Sequence, residues 1–194
     1  MPRKTKKAKL KPTILVAFII GGILGYEVGI YHQAASTALL STPEATIQVR
    51  FSPGGRCTQL VEETITQAKK RVLVQAYGFT SLPIADALIA AHQRGVEVKI
   101  LVDRSQLKSK YSQVRHVMKQ GINVAVDKVP GIAHNKVMII DDAYVLTGSF
   151  NWTQAAEKRN AENLLLIQDA KLNSIYAAKW QERAKRALAP ELGK

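Results

Sequence analysis

The 194-residue sequence predicts an α/β layered sandwich around a mixed sheet. Two observations carry that prediction. From residue 47 onward, short β-branched runs alternate with segments of helical periodicity. One pair of runs, Lys136 to Ile140 and Tyr144 to Thr147, is joined only by a turn at Asp141-Asp142 and reads as a hairpin. The composition agrees: 46% hydrophobic and 22% charged residues describe a globular chain and exclude wholesale disorder, collagen-like structure and a multi-span membrane protein.

The elements follow in order. Ile47-Gln48-Val49-Arg50-Phe51 alternates with period two and ends in the turn Ser52-Pro53-Gly54-Gly55, a strand and its stop. Leu60, Val61, Thr64, Ile65 and Ala68 recur at helical spacing, as a core face. Arg71 to Tyr77 is a β-branched strand ending at Gly78. Ser81 followed by Pro83 reads as an N-cap with proline in the first turn, and Gly95 as the helix stop. Ile84, Leu88 and Ala91 mark the buried stripe between them. Val96 to Val102 is a strand. Val114, Val117 and Met118 lie on a helix that ends at Gly121, and Ile122 to Val126 is the next strand. After the hairpin comes a strand at Leu164 to Ile167. A last helix, about Ala170 to Ala189, is expected to bury Leu172, Ile175, Tyr176 and Trp180 and to close at Pro190.

The charge is the outlier: 28 basic against 15 acidic residues, net +13, a balance that favours polyanionic partners. Six basic residues (Arg3, Lys4, Lys6, Lys7, Lys9, Lys11) precede an apolar run from Thr13 to Tyr26, then Glu27 and a small-residue stretch around Ala34-Ala35. That is the layout of a secretory signal over residues 1–35. An uncleaved membrane anchor over residues 13–31 is the alternative. Both place the rest of the chain across the membrane, in the periplasm. Residues 36–45 read as a linker and 46–190 as the functional domain. Without the first 35 residues the chain stays net +8. The lone Cys57 excludes an intramolecular disulfide and a zinc-cysteine cluster.

The informative stretch is His134, Lys136, Asp141, Gly148, Ser149 and Asn151, with the spacing H-x-K-x4-D-x6-G-S-x-N. At about 5% usage per residue type, six fixed positions match by accident in only a few chains per million. Strand alternation puts His134 and Lys136 on one face, and a tight hairpin brings Ser149 and Asn151 beside them. Imidazole, ammonium, hydroxyl and amide suit a phosphodiester. Lys136 offers fixed positive charge to non-bridging oxygens, Ser149 and Asn151 offer donors, and His134 can attack phosphorus or move a proton. No carboxylate cluster or His/Cys pair for a metal accompanies them, so no cofactor or metal is expected and activity should persist in chelator. Taken singly, Asp141 is a turn residue and Gly148 a bulge or turn.

This motif resembles that of the phospholipase D superfamily. The resemblance runs from about Gln48 to Arg183 and includes Ala76–Ser81, Arg94–Asp103, Thr147–Ile167 and the helix at Trp180. Within the superfamily it points to the small bacterial periplasmic endonucleases with one motif per chain, the Nuc type. The resemblance implies an α/β/α sandwich and a covalent phosphohistidine at His134. Lys136 and Asn151 match phosphate-binding positions and Ser149 a site residue. Glu162 matches an acid that hydrogen-bonds and orients the histidine, and Asp141 a structural aspartate.

A covalent histidine mechanism needs a second group to protonate the leaving oxygen. His32 lies in the N-terminal segment, and His92 and His116 sit in helical patterns with no motif around them. A second copy of His134 in a two-fold homodimer is the cheapest source, and the resemblance implies the same composite site. Arg104, Lys108, Lys110 and Tyr111, after a strand end, suit a phosphate backbone and a stacked base, or form a solvated basic loop. Lys158 and Arg159, just past the motif, are better placed for substrate. Lys179, Arg183, Lys185 and Arg186 read as the wet face of the last helix. Trp152 either packs under the motif or lines the groove.

The expectation is therefore an exported, metal-independent, non-specific endonuclease on DNA or RNA. A phospholipase D-type hydrolase of phospholipid headgroups or cardiolipin is the alternative, and a nucleic-acid binder without turnover a third reading.

Overall fold

Seven of the sequence runs read as strands form one sheet, and the helical segments cover its two faces. The structure is a computed structural model that describes residues 45–191. The signal or anchor expected over residues 1–35, and the expected linker apart from Ala45, lie outside the described residues. Among the described residues no helix is long and apolar enough to cross a membrane.

The elements are β1 (Thr46–Ser52), α1 (Cys57–Thr66), β2 (Arg71–Ala76), α2 (Leu82–Gln93), β3 (Glu97–Val102), α3 (Ser105–Lys108), α4 (Val114–Lys119), β4 (Asn123–Val126), β5 (Lys136–Ile140), β6 (Tyr144–Gly148), α5 (Gln154–Lys158), β7 (Glu162–Gln168) and α6 (Ala170–Ala184). Strand order is β1-β7-β6-β5-β2-β3-β4. β2, β3 and β4 are parallel, and β5, β6, β7 and β1 add antiparallel strands to the β2 side. The mixed sheet and the α/β/α layering are as expected.

Local signals explain the boundaries. Ser81 stands at the N-cap of α2, and Gly95, with φ 89°, takes the left-handed turn that ends it. Thr153 Oγ1 accepts from the Ala156 amide and starts α5. Asp169 Oδ1 accepts from the Lys171 and Leu172 amides at 2.8 and 2.9 Å and starts α6.

Alternation along β5 divides the core. Met138 and Ile140 enter the cluster under α1 and α2, with Leu60, Ile65, Ile84 and Leu88. Val137 and Ile139 enter a smaller cluster with Ala177 and Trp180 of α6. The two tryptophans clamp β2 between them. Trp152 Nε1 donates to Gln75 O and Trp180 Nε1 to Val74 O, each at 3.0 Å. Trp152 is fully buried and packs under the motif.

Three readings of the last helix need correction. It ends at Ala184, not near 189, because Leu188 leaves it to bridge Val126 of β4 with two backbone hydrogen bonds. Ile175 is 43% exposed; the inward stripe is Asn173, Ala177 and Trp180, with Asn173 Nδ2 donating to Tyr144 O at 2.9 Å. Arg183 is no wet-face residue either. Its Nε donates to the buried Asp127 carboxylate at 2.6 Å. Helical spacing identifies a stripe, but a buried asparagine and a buried ion pair shift its centre.

Candidate active site

Antiparallel pairing of β5 with β2 sets Lys136 opposite Ala76, and pairing of β1 with β7 sets Ser52 opposite Glu162. The carboxyl ends of β1, β2, β3 and β6 and the amino ends of β5 and β7 therefore share one edge of the sheet. Ligand loops of α/β sheets gather at such an edge.

The residue that organises this edge is Tyr77, directly after β2. Its N–H donates to Asn135 O at 3.0 Å. Its ring centroid is 4.4 Å from that of His134 and 4.9 Å from Lys136 Nζ. His134 lies two residues before β5 and is exposed, whereas Lys136 is the first residue of β5 and only 6% exposed. Lys136 Nζ donates to His134 O at 2.9 Å, which ties the ammonium to the backbone that carries the imidazole. Burial pushes the Lys136 ammonium below its ordinary value, and the negative charge of Glu162 pulls partly the other way.

Gly78, next to Tyr77, brings in Asn151. A Cβ at Gly78 would stand 3.3 Å from Asn151 Oδ1, so only the missing side chain leaves this space open. Among the described residues Asn151 Oδ1 is buried with no hydrogen-bond partner, as is Gln75 Nε2 of β2. A buried amide without a protein partner is costly unless something else satisfies it.

Ser149 reaches the same edge just past the end of β6, close beside its antiparallel neighbour β7. Its N–H donates to Asn163 O at 3.1 Å and its Oγ accepts from the Asn163 N–H at 3.0 Å, which leaves the hydroxyl hydrogen to be given elsewhere. Gly148 makes this close approach possible. Its φ is 149°, and a Cβ there would collide with the Asn163 carbonyl. Glu162 starts β7, and its Oε1 accepts from Asn160 Nδ2 at 2.9 Å. Among the described residues no hydrogen bond joins Glu162 to His134, so the orienting contact implied by the resemblance is not made within this chain.

Asp141 lies at the opposite end of β5, roughly 16 Å from Lys136 at strand rise. It takes φ 51°, and its carboxylate accepts from the amides of Lys69, Lys70 and Arg71, the closest at 2.7 Å. This aspartate anchors a turn.

The residues of second rank separate into two groups. Arg104, Lys108 and Lys110 are exposed around α3 at the end of β3; Tyr111 is 67% exposed, with Lys110 Nζ 4.9 Å above its ring. Lys158 and Arg159 are exposed at the end of α5. Lys158 borders a groove of about 260 Å³ with Ser81, Leu82, Gln154 and Glu157. His116 pairs with Asp86 at 3.0 Å on the surface. Among the described residues no three His, Cys, Asp or Glu gather in a group that could hold a metal ion.

Sequence reading assigned no role to Tyr77 or Asp103. The only signal was position, since each directly follows an apolar strand. Asp103 is 2% exposed, and its Oδ2 accepts from the Ala133 amide at 2.8 Å.

Comparison with known proteins agrees with this geometry. The family described as "Cardiolipin synthase, PLD-like domain" matches residues 61–183. A phospholipase D of Rickettsia bellii is 41% identical over 96% of this chain and 99% of its own length. A mitochondrial cardiolipin hydrolase of Xenopus laevis is 31% identical over 72% of this chain and 71% of its own. The crystal structure of Nuc, a phospholipase D family member from Salmonella typhimurium, superposes with a TM-score of 0.70 at 38% identity, covering 74% of this chain and 97% of that one. With the family's domain, its fold and its motif groups converging on one sheet edge, the chain belongs to the phospholipase D superfamily of phosphodiester hydrolases.

Proposed function

We propose that the protein is an exported, metal-independent endonuclease that cuts DNA, and RNA by the same chemistry, in a site completed by a second copy of the chain. The observation that carries the reading is a set of donors gathered at one edge: the exposed His134 imidazole, which meets the Tyr77 ring and has no hydrogen bond among the described residues, and the Asn151 side-chain amide, whose NH2 can donate to an anion. Beside them stands the Lys136 ammonium, buried, bonded to the His134 carbonyl and 4.9 Å from the Tyr77 ring. A phosphodiester supplies the missing anion.

In the proposed reaction His134 attacks phosphorus and the bond to the leaving oxygen breaks. The partner copy's imidazole protonates that oxygen. Water then displaces the histidine and frees the phosphate monoester. Lys136 and Asn151 hold the non-bridging oxygens as charge builds on them, and Ser149 adds its hydroxyl hydrogen.

The outer face of β1 supports pairing. Arg50 reaches Glu63 of α1, so the alternate residues Ile47, Val49 and Phe51 face away from that helix. All three are exposed, Phe51 at 63%. They lie in register with Ile167, Leu165 and Asn163 of β7, on a side where α6 packs against β2, β5 and β6. The row ends beside Glu162 at the site edge. An uncovered apolar row of this kind suits a second copy.

Two features favour nucleic acid: the net +8 charge beyond residue 35 and two exposed basic groups, Arg104, Lys108 and Lys110 near Tyr111, and Lys158 and Arg159 at the end of α5. One observation favours a phospholipid substrate. Ile132, two residues before His134, is exposed, as is Tyr111, and apolar groups near a basic site suit a lipid surface. The relatives' names point the same way.

The deciding experiment gives the purified protein plasmid DNA, single-stranded DNA and cardiolipin vesicles in parallel, in excess EDTA, with its mass measured by light scattering. Nicking by a dimer supports the proposal. Lipid turnover without nicking reverses the substrate, and a turning-over monomer removes the shared site.

A further inference from the structure

The nucleophile is carried by a connection without regular structure. Between the end of β4 at Val126 and the start of β5 at Lys136, residues 127–135 form no helix or strand. An imidazole on such a segment has no strand to aim it, yet in-line attack needs placement to a fraction of an ångström. His134 itself meets the Tyr77 ring and its carbonyl accepts from Lys136 Nζ; the contacts that fix the connection around it are few. Asp127 holds the start of the connection through Arg183. Tyr77 N–H holds Asn135 O, one residue after the histidine. On the other side, Asp103 Oδ2 accepts from the Ala133 amide at 2.8 Å, one residue before it.

Asp103 is placed by the sheet. Its own N–H donates to Ala76 O at 3.0 Å, so it continues the β2–β3 ladder by one rung at the site edge. Its other oxygen, Oδ1, accepts from the Ser105 amide at 2.9 Å, where α3 begins. Burial alone would push the Asp103 carboxyl up. Its hydrogen bonds with Ser105 and Ala133 and the nearby Arg104 charge outweigh burial and hold it below its ordinary value, so it is anionic throughout the neutral range. A buried anion with both oxygens bonded to backbone amides is a rigid link. Here it links the histidine-bearing connection to the segment carrying Arg104 and Lys108. Arg104 Nη2 also reaches Gly131 O of the same connection, at a long 3.4 Å.

We propose that Asp103 is a positioning residue for His134, its carboxylate setting where the imidazole stands by holding the amide of the preceding residue. The proposal rests on the reading of His134 as the nucleophile. Asp103 touches neither substrate nor reacting atoms. Its loss leaves Ser149 and Asn151 untouched and Lys136 on β5, changing only what lies at the His134 segment, so it lowers turnover more than binding.

The test uses Asp103→Asn and Asp103→Ala in the full chain, with bis(4-nitrophenyl) phosphate as a diester that is neither nucleic acid nor lipid. Circular dichroism first sets a temperature at which both variants are folded. Asparagine keeps one acceptor and turns a donor toward the other amide; alanine keeps none. The expected result is a kcat lower by about tenfold for asparagine and about a hundredfold for alanine, with KM within about threefold. In parallel, the His134 ring resonances, assigned with His134→Ala, should move in Asp103→Asn while those of His92 and His116 stay. Folded variants with wild-type kcat and unmoved His134 signals overturn the proposal. So does a loss that merely follows the unfolded fraction. If His134→Ala keeps turnover, the nucleophile reading fails separately, and the ring signals still decide what Asp103 does.

Discussion

The two ends of β5 carry polar groups of the same motif and treat them in opposite ways. At the far end the Asp141 carboxylate is saturated by the amides of Lys69, Lys70 and Arg71. At the near end His134 is exposed, Lys136 is buried with one carbonyl partner, and Asn151 Oδ1 has none. Folding favours the first arrangement and works against the second, since desolvating a charge or an amide without full compensation is unfavourable. The comparison teaches that hydrogen-bond saturation separates architecture from chemistry within a single motif. Within this motif, the residue whose partners are all inside the chain holds the fold, and the groups left short stand at the edge proposed to take the ligand.

That contrast can be broken most directly at the near end. His134→Ala should abolish plasmid nicking, by at least about 10³-fold, and leave the thermal midpoint nearly unchanged, because an exposed ring contributes little to stability. A parallel activity and melting measurement checks both halves. Full nicking by the variant would remove His134 from the mechanism.

Asp141→Ala should show the reverse pattern. It removes the hydrogen bonds to the Lys69, Lys70 and Arg71 amides and leaves an alanine at positive φ, at a cost of about 2–3 kcal/mol. For a chain of this size that is a fall in Tm of roughly 4–12 °C. Activity per folded molecule should stay within about twofold. A large loss of kcat with an unchanged Tm would mean that the far end takes part in chemistry.

The smallest effect sharpens the near end. Lys136 titrates below its ordinary value because of burial, and Glu162 holds it up in part. The charged ammonium binds phosphate, so kcat/KM should fall as pH rises through this lowered value. Glu162→Gln withdraws a negative charge that favours the ammonium, lowers the Lys136 value further and moves the alkaline limb of kcat/KM to lower pH. A limb that stays put or moves upward would show that Lys136 does not set it.

Residue order alone determined most of the architecture and the list of motif groups. Period-two runs, the proline after Ser81, the glycine after α2 and the hairpin at Asp141-Asp142 are local rules acting within a few residues. They were legible for that reason. The motif was legible because its spacing is fixed by two adjacent strands and the turn between them.

Tertiary structure alone decided everything that depends on pairing across the sheet. The antiparallel join of β5 to β2 put Tyr77 against both His134 and Lys136. The parallel join of β2 to β3 put Asp103 under the histidine connection. Asn173 and the Arg183–Asp127 pair turned α6 away from the stripe its apolar residues suggested. These partners are separated by between 29 and 59 residues. Contacts at that range come from register and packing, which no local pattern encodes.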